Sequence, residues 1–142
     1  MMNLAELTAE FDELPDWEDR CDLLIDLGME LPDLSAEEKV EANRVHGCQS
    51  NVWLVMITSG TGEQQRIKIR AQSEAMIVNG LICVLLAIYD GKTPQEILEI
   101  SPQAIFQRLD LDRHLSPQRK NGLSGMVQRI RGLAAELLSQ QS

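Results

Sequence analysis

The chain has 142 residues, a formal net charge of −9, three cysteines and two histidines. That length fits a single domain, residues 1–142, that buries enough surface to need no disulfide or metal staple. The acidity excludes general nucleic-acid binding, which relies on basic surface to displace counterions. The longest apolar run, Leu81 to Tyr89, falls short of the roughly 20 residues a membrane span requires, so no membrane association is expected.

Charge is spread unevenly. Residues 1–43 hold 14 acids and 2 bases, residues 44–100 hold 5 of each, and residues 101–142 hold 3 acids and 6 bases. Such blocks read first as solvated helix faces and second as a field that steers a charged partner. Cys21, Cys48 and Cys83 have no paired spacing, and His46 and His114 form no ligand cluster, so neither a disulfide framework nor a zinc site is predicted. The acidic opening "MMNLAELTAEFDELPD" lacks the basic and apolar regions of a secretion signal. The expectation is a cytoplasmic, reducing setting in which the thiols stay free.

In chain order, Leu4, Leu7, Phe11 and Leu14 have helical spacing closed by Pro15. A second helix follows from "DWEDRCDLLIDLGMEL", with Asp16, Glu18 and Asp19 at its electropositive end and Cys21 directed at a core. Ser35 and Glu38 have capping-box spacing and predict one short helical turn. "NVWLVMITSGTGEQQRIKIRAQ" then reads as an antiparallel hairpin, its second strand placing Ile67, Ile69 and Ala71 on a packed face and Arg66, Lys68 and Arg70 on a wet one. Ser73 is positioned to cap a helix that is apolar almost all round from Leu81 and carries Cys83 into the core. Thr93-Pro94-Gln95-Glu96 opens a short helix, and Ser116-Pro117 opens a long one with an apolar stripe from Leu123 to Leu138, flanked by Arg119, Lys120, Arg129 and Arg131. The predicted class is α+β, a small antiparallel sheet of about three strands packed against helices.

Cys48 is the thiol that packing does not explain. It lies between Gly47 and Gln49 on a loop feeding the first strand, a place from which a rigid scaffold presents a nucleophile. On spacing alone it is either a working thiol or an incidental loop cysteine. His46, two residues away, allows a thiol hydrolase, although such dyads usually draw their partners from distant segments. No G-x-S-x-G motif, Walker-type phosphate loop or dinucleotide-binding glycine pattern is present.

Four motifs in order, "LPDWEDR", "NRVHGCQSNVWLV", "AQSEAMIVNGLICVLLAIYDGKTPQEIL" and "LDRHLSPQRKNGLSGMVQRIR", make the chain similar to the SufE family of cysteine desulfuration proteins over nearly its whole length. The resemblance implies the fold of the IscU-type scaffolds. It also implies a sulfur acceptor and activator of a SufS-like cysteine desulfurase, which passes sulfur to an iron–sulfur scaffold complex. Such a protein is not an enzyme in its own right and has no cofactor of its own; the pyridoxal phosphate belongs to the partner. The family's G-C-Q-S cysteine falls on Cys48, which takes sulfur as a persulfide on a loop that hides it in the free protein and swings out on docking. Arg44, His46, Gly47, Gln49, Glu74 and Arg119 are the residues expected to support the thiolate or touch the partner. Two positions depart from the family pattern: His46 stands where proline is common, and Gln72 replaces the first aspartate of a D-S-D-A pattern, with Glu74 keeping the second carboxylate. The competing reading is an adaptor that activates the desulfurase without carrying sulfur.

Overall fold

The computed structural model describes residues 2–46 and 50–141. Helix α1 (Leu4–Glu13) is closed at its start by a capping box between Asn3 and Glu6, and it turns Leu7 and Phe11 inward. Helix α2 (Trp17–Met29) follows at once after Pro15. Arg20 ties the two together by donating to the Leu14 carbonyl at 2.7 Å and the Phe11 carbonyl at 2.9 Å.

Strands β1 (Val52–Ser59) and β2 (Arg66–Ser73) form the predicted antiparallel hairpin, with Val52 opposite Ser73 and Ser59 opposite Arg66. Val52, Leu54, Ile67, Ile69 and Ala71 are buried, and Lys68 and Ile57 face outward as a cross-strand pair. Among the described residues the sheet has two strands, not about three. Each outer edge carries a single bridge, Arg44 to Trp53 on one side and Ile67 to Lys92 on the other. Neither flank continues as a strand for a local reason. The first emerges from a 3-10 turn at Glu41–Asn43, and the second lies between Gly91, at φ +75°, and Thr93, which caps the next helix.

Helix α3 (Met76–Tyr89) is buried along Gly80 to Leu86 and packs on α2 and β2. It begins later than predicted because Ser73 ends the strand: its hydroxyl donates to the Asn51 carbonyl and accepts the Ala75 amide, leaving the helix without a side-chain cap. At the α2–α3 crossing the backbones are in contact through two glycines. A methyl group on Gly28 would come within 2.7 Å of the Gly80 amide nitrogen, and one on Gly80 would overlap the Leu24 carbonyl.

Helix α4 (Pro94–Glu99) has the predicted Thr93–Glu96 capping box. Residues 101–115, for which the sequence reading offered no element, form α5 (Pro102–Arg108) and α6 (Leu111–His114), separated by Asp110 in the left-handed region at φ 62°. Helix α7 (Pro117–Gln141) buries Leu123, Met126, Ile130 and Ala134. Arg131, half-buried rather than solvated, donates to the Ile97 and Ile100 carbonyls and so closes the C-terminal end of α4.

Candidate functional site

Gly47, Cys48 and Gln49 lie outside the described residues; the site is defined by the two stems that lead to them. Among the described residues the stems are joined where the Val45 amide donates to the Val52 carbonyl at 2.8 Å. The incoming stem, Arg44 to His46, leaves the 3-10 turn, whose cap is the Arg44 amide bonded to the Glu41 carbonyl. Glu41 also collects the two basic side chains there, Arg44 at 3.4 Å and His46 Nε2 at 3.3 Å. These pairs are largely open to water and add little to stability.

The outgoing stem is tied to the end of β2. The Asn51 carbonyl accepts the Ser73 hydroxyl at 2.8 Å, and its side-chain amide donates to Glu74 at 3.1 Å. Asn79, one turn into α3, completes the clamp by bonding both the amide and the carbonyl of Ser73, at 2.7 and 3.0 Å. Glu74, predicted as a site residue, therefore anchors the stem through Asn51. Gln72 has its own work: its carbonyl accepts the Leu34 amide at 2.8 Å and its NH₂ donates to Asp33 at 2.9 Å. A carboxylate there could take the first bond but not supply the second, which gives the departure from the family pattern a physical reason.

Arg119 lies in the first turns of α7, exposed, at the rim of a small pocket of about 40 Å³ whose other walls include Ser50, Val78, Leu81 and Met126. Thus Arg119 and the outgoing stem share a pocket, whereas Arg44 and His46 line a separate shallow groove against Gly125 and Arg129. A cleft of about 570 Å³ between the α4–α6 segment and α7 receives no described residue of either stem.

The other thiols differ. Cys83 is 3% exposed, donates to the Leu27 carbonyl at 3.3 Å, and burial pushes its pKa up to about 11, so it carries no thiolate near neutrality. Cys21 departs from its predicted place in the core and is only half-buried. Desolvation still raises its pKa, opposed by the charge of Arg119 and by a hydrogen bond with Trp17. Trp17 itself stacks on His114, ring centroids 4.5 Å apart, and His114 Nε2 lies 3.3 Å from Asp110. Among the described residues no group of three or more His, Cys, Asp or Glu side chains is placed to hold a metal ion, and no helix is long and apolar enough to cross a membrane. The sequence reading missed Asn51, Ser73, Asn79 and Arg129 as supports of the stems. Only a polar run on both sides of the cysteine hinted at the first, and nothing marked Arg129.

Comparison with known proteins places this architecture. A solution structure of a hypothetical protein from Thermus thermophilus aligns over 96% of both chains with a TM-score of 0.71 at 22% identity, which shows a shared fold. An uncharacterised SufE-like protein of Rhizobium etli is 44% identical over 131 residues, 92% of this chain and 88% of the relative. One from Rhizobium meliloti is 40% identical over 134 residues, 94% of this chain and 96% of that one. Residues 5–134 match the family described as "SufE: Fe-S metabolism associated domain". With that match over most of its length and those relatives, the chain belongs to the SufE family.

Proposed function

We propose that the protein accepts sulfur from a pyridoxal-phosphate-dependent cysteine desulfurase on Cys48, stimulates that enzyme, and hands the sulfur on for iron–sulfur cluster assembly in the cytoplasm. The observation that carries the reading is the G-C-Q-S sequence at residues 47–50 inside a family match that runs from residue 5 to 134. The described thiols support it by default: Cys83 is walled into the core and Cys21 has its pKa raised.

In this reading the Cys48 thiolate attacks the outer sulfur of a persulfide on the desulfurase. A new S–S bond forms to Cys48, the partner's S–S bond breaks, and the partner's cysteine leaves as a thiolate. The exchange is redox-neutral. Reduction of the transferred sulfur to sulfide takes two electrons, supplied where the scaffold receives it. Arg119, which shares a pocket with Ser50, two residues beyond Cys48, is the cation assigned to favour the anionic form of the transferred sulfur. Chemistry with the partner's cofactor stays on the partner, and this chain contributes no turnover alone.

Intact-mass spectrometry after incubation with a cysteine desulfurase, pyridoxal phosphate and cysteine tests the reading. A gain of one sulfur mass, removed by reductant and absent from Cys48→Ser, is expected. Full desulfurase stimulation by Cys48→Ser with no adduct on the native chain would replace sulfur carriage by non-covalent activation.

A further inference from the structure

We infer that Arg129 is a positioning residue for the incoming stem, a two-pronged clamp on residues 42–46 that lead toward Cys48; its bearing on sulfur transfer rests on the proposed role of Cys48. Arg129 lies on α7, far along the chain from residues 42–46, yet its guanidinium donates to the Arg44 carbonyl at 2.9 Å and to the Ala42 carbonyl at 3.3 Å. Among the described residues it forms no ion pair, so these two carbonyls are its identified polar partners. Both carbonyls belong to the turn and extended residue from which the chain runs into His46.

Charged donors on neutral carbonyls form stronger hydrogen bonds than neutral pairs, and a planar fork fixes direction as well as distance. The clamp has a steric counterpart one turn earlier on α7. A methyl group built on Gly125 would come within 3.2 Å of Val45 Cγ1 and 3.3 Å of the His46 carbonyl oxygen, so the helix meets the stem with no side chain between them. Gly125 and Arg129 are four residues apart and therefore on one helix face. That face holds three consecutive stem residues, Arg44 to His46, which β1 also holds through the Val45 amide, while Asn51 on the outgoing stem is tied to Ser73. Arg129 thus sets where the incoming stem sits relative to α7, the helix that also carries Arg119.

The test is alkylation of the full-length chain by iodoacetamide under native conditions, with the modified cysteine assigned by peptide mass. Cys83 serves as internal reporter of global opening because it is buried beside α2. In Arg129→Ala the rate at Cys48 is expected to rise roughly fivefold, the factor that corresponds to about one net hydrogen bond, while the rate at Cys83 stays at its wild-type value. Amide exchange should quicken over residues 41–46 and not over α3. Equal acceleration of Cys48 and Cys83, or an unchanged Cys48 rate, would overturn the clamp. Arg129→Lys, which keeps the charge but loses the fork, supplies the same comparison if the alanine variant does not fold. Failure of wild-type Cys48 to take sulfur from a desulfurase would remove the proposed function, while the alkylation ratio would still decide the clamp.

Discussion

At two places among the described residues a glycine lets a helix come close to another segment. At the α2–α3 crossing, Gly28 and Gly80 face each other, and what an added methyl group would meet is chiefly main chain: the Gly80 amide from one side and the Leu24 carbonyl from the other. On α7, Gly125 meets the incoming stem, where the first atom encountered is a side-chain methyl of Val45. The first contact is helix on helix inside the apolar core. The second is helix on loop stem, reinforced by Arg129. Rigidity where the core closes, and a contact that can yield by tenths of an ångström where the stem leads toward Cys48, follow from which atoms the glycine spares.

The largest expected effect comes from closing the first of these gaps. Gly80→Ala forces a methyl into the Leu24 carbonyl, and relief requires the two helices to separate along their whole contact. A loss of about 3 kcal/mol or more in urea unfolding is expected, and a loss below about 1 kcal/mol would show the crossing to be compliant after all.

A pH experiment sharpens the same contrast, because Cys83 lies in the rigid region. Its pKa rises from 9.0 to about 11, mainly through burial and secondarily through the charge of Glu30. The protonated thiol is favoured in the folded state, so its contribution is intact below pH 9. It is lost between about pH 9 and 11, where the unfolded chain ionises and the folded chain does not. The native protein should lose up to about 2 kcal/mol more over that interval than Cys83→Ala does. Parallel stability curves for the two proteins would mean that the thiol is not shielded in solution.

Much of this was legible beforehand. The hairpin, the apolar third helix, the Thr93–Glu96 box and the Ser116-Pro117 helix start all follow from period and capping chemistry, and the structure keeps them. Ser101-Pro102 carries the same start signal as Thr93-Pro94 and gives α5, so that element is legible in the sequence by the same rule. The missing third strand was not readable, because whether a flank extends a sheet depends on where neighbouring turns send it. The candidate site divides in the same way. Cys48 stands out by local sequence, whereas Arg129 looks like any solvated base on a helix stripe and acquires its role only when α7 folds back onto residues 42–46.

Smaller effects distinguish glycines on the same helix. Gly132 on α7 is exposed, with no atom within 4 Å of an added methyl group, so Gly132→Ala should stabilise by about 0.5–1 kcal/mol through helix propensity alone.

Gly125→Ala gains the same propensity but must push aside Val45 Cγ1 and the His46 carbonyl by a few tenths of an ångström. The two terms oppose each other, and the net change in unfolding free energy should lie within about 0.5 kcal/mol of zero. The displacement then falls on the stem and not on the core. Amide exchange at Val45 and His46 should quicken in Gly125→Ala and stay unchanged in Gly132→Ala, at nearly equal global stability. If Gly125→Ala instead matched Gly132→Ala in both stability and exchange, α7 would not be in working contact with the stem. The difference between a closed core crossing and a yielding platform would then reduce to helix propensity.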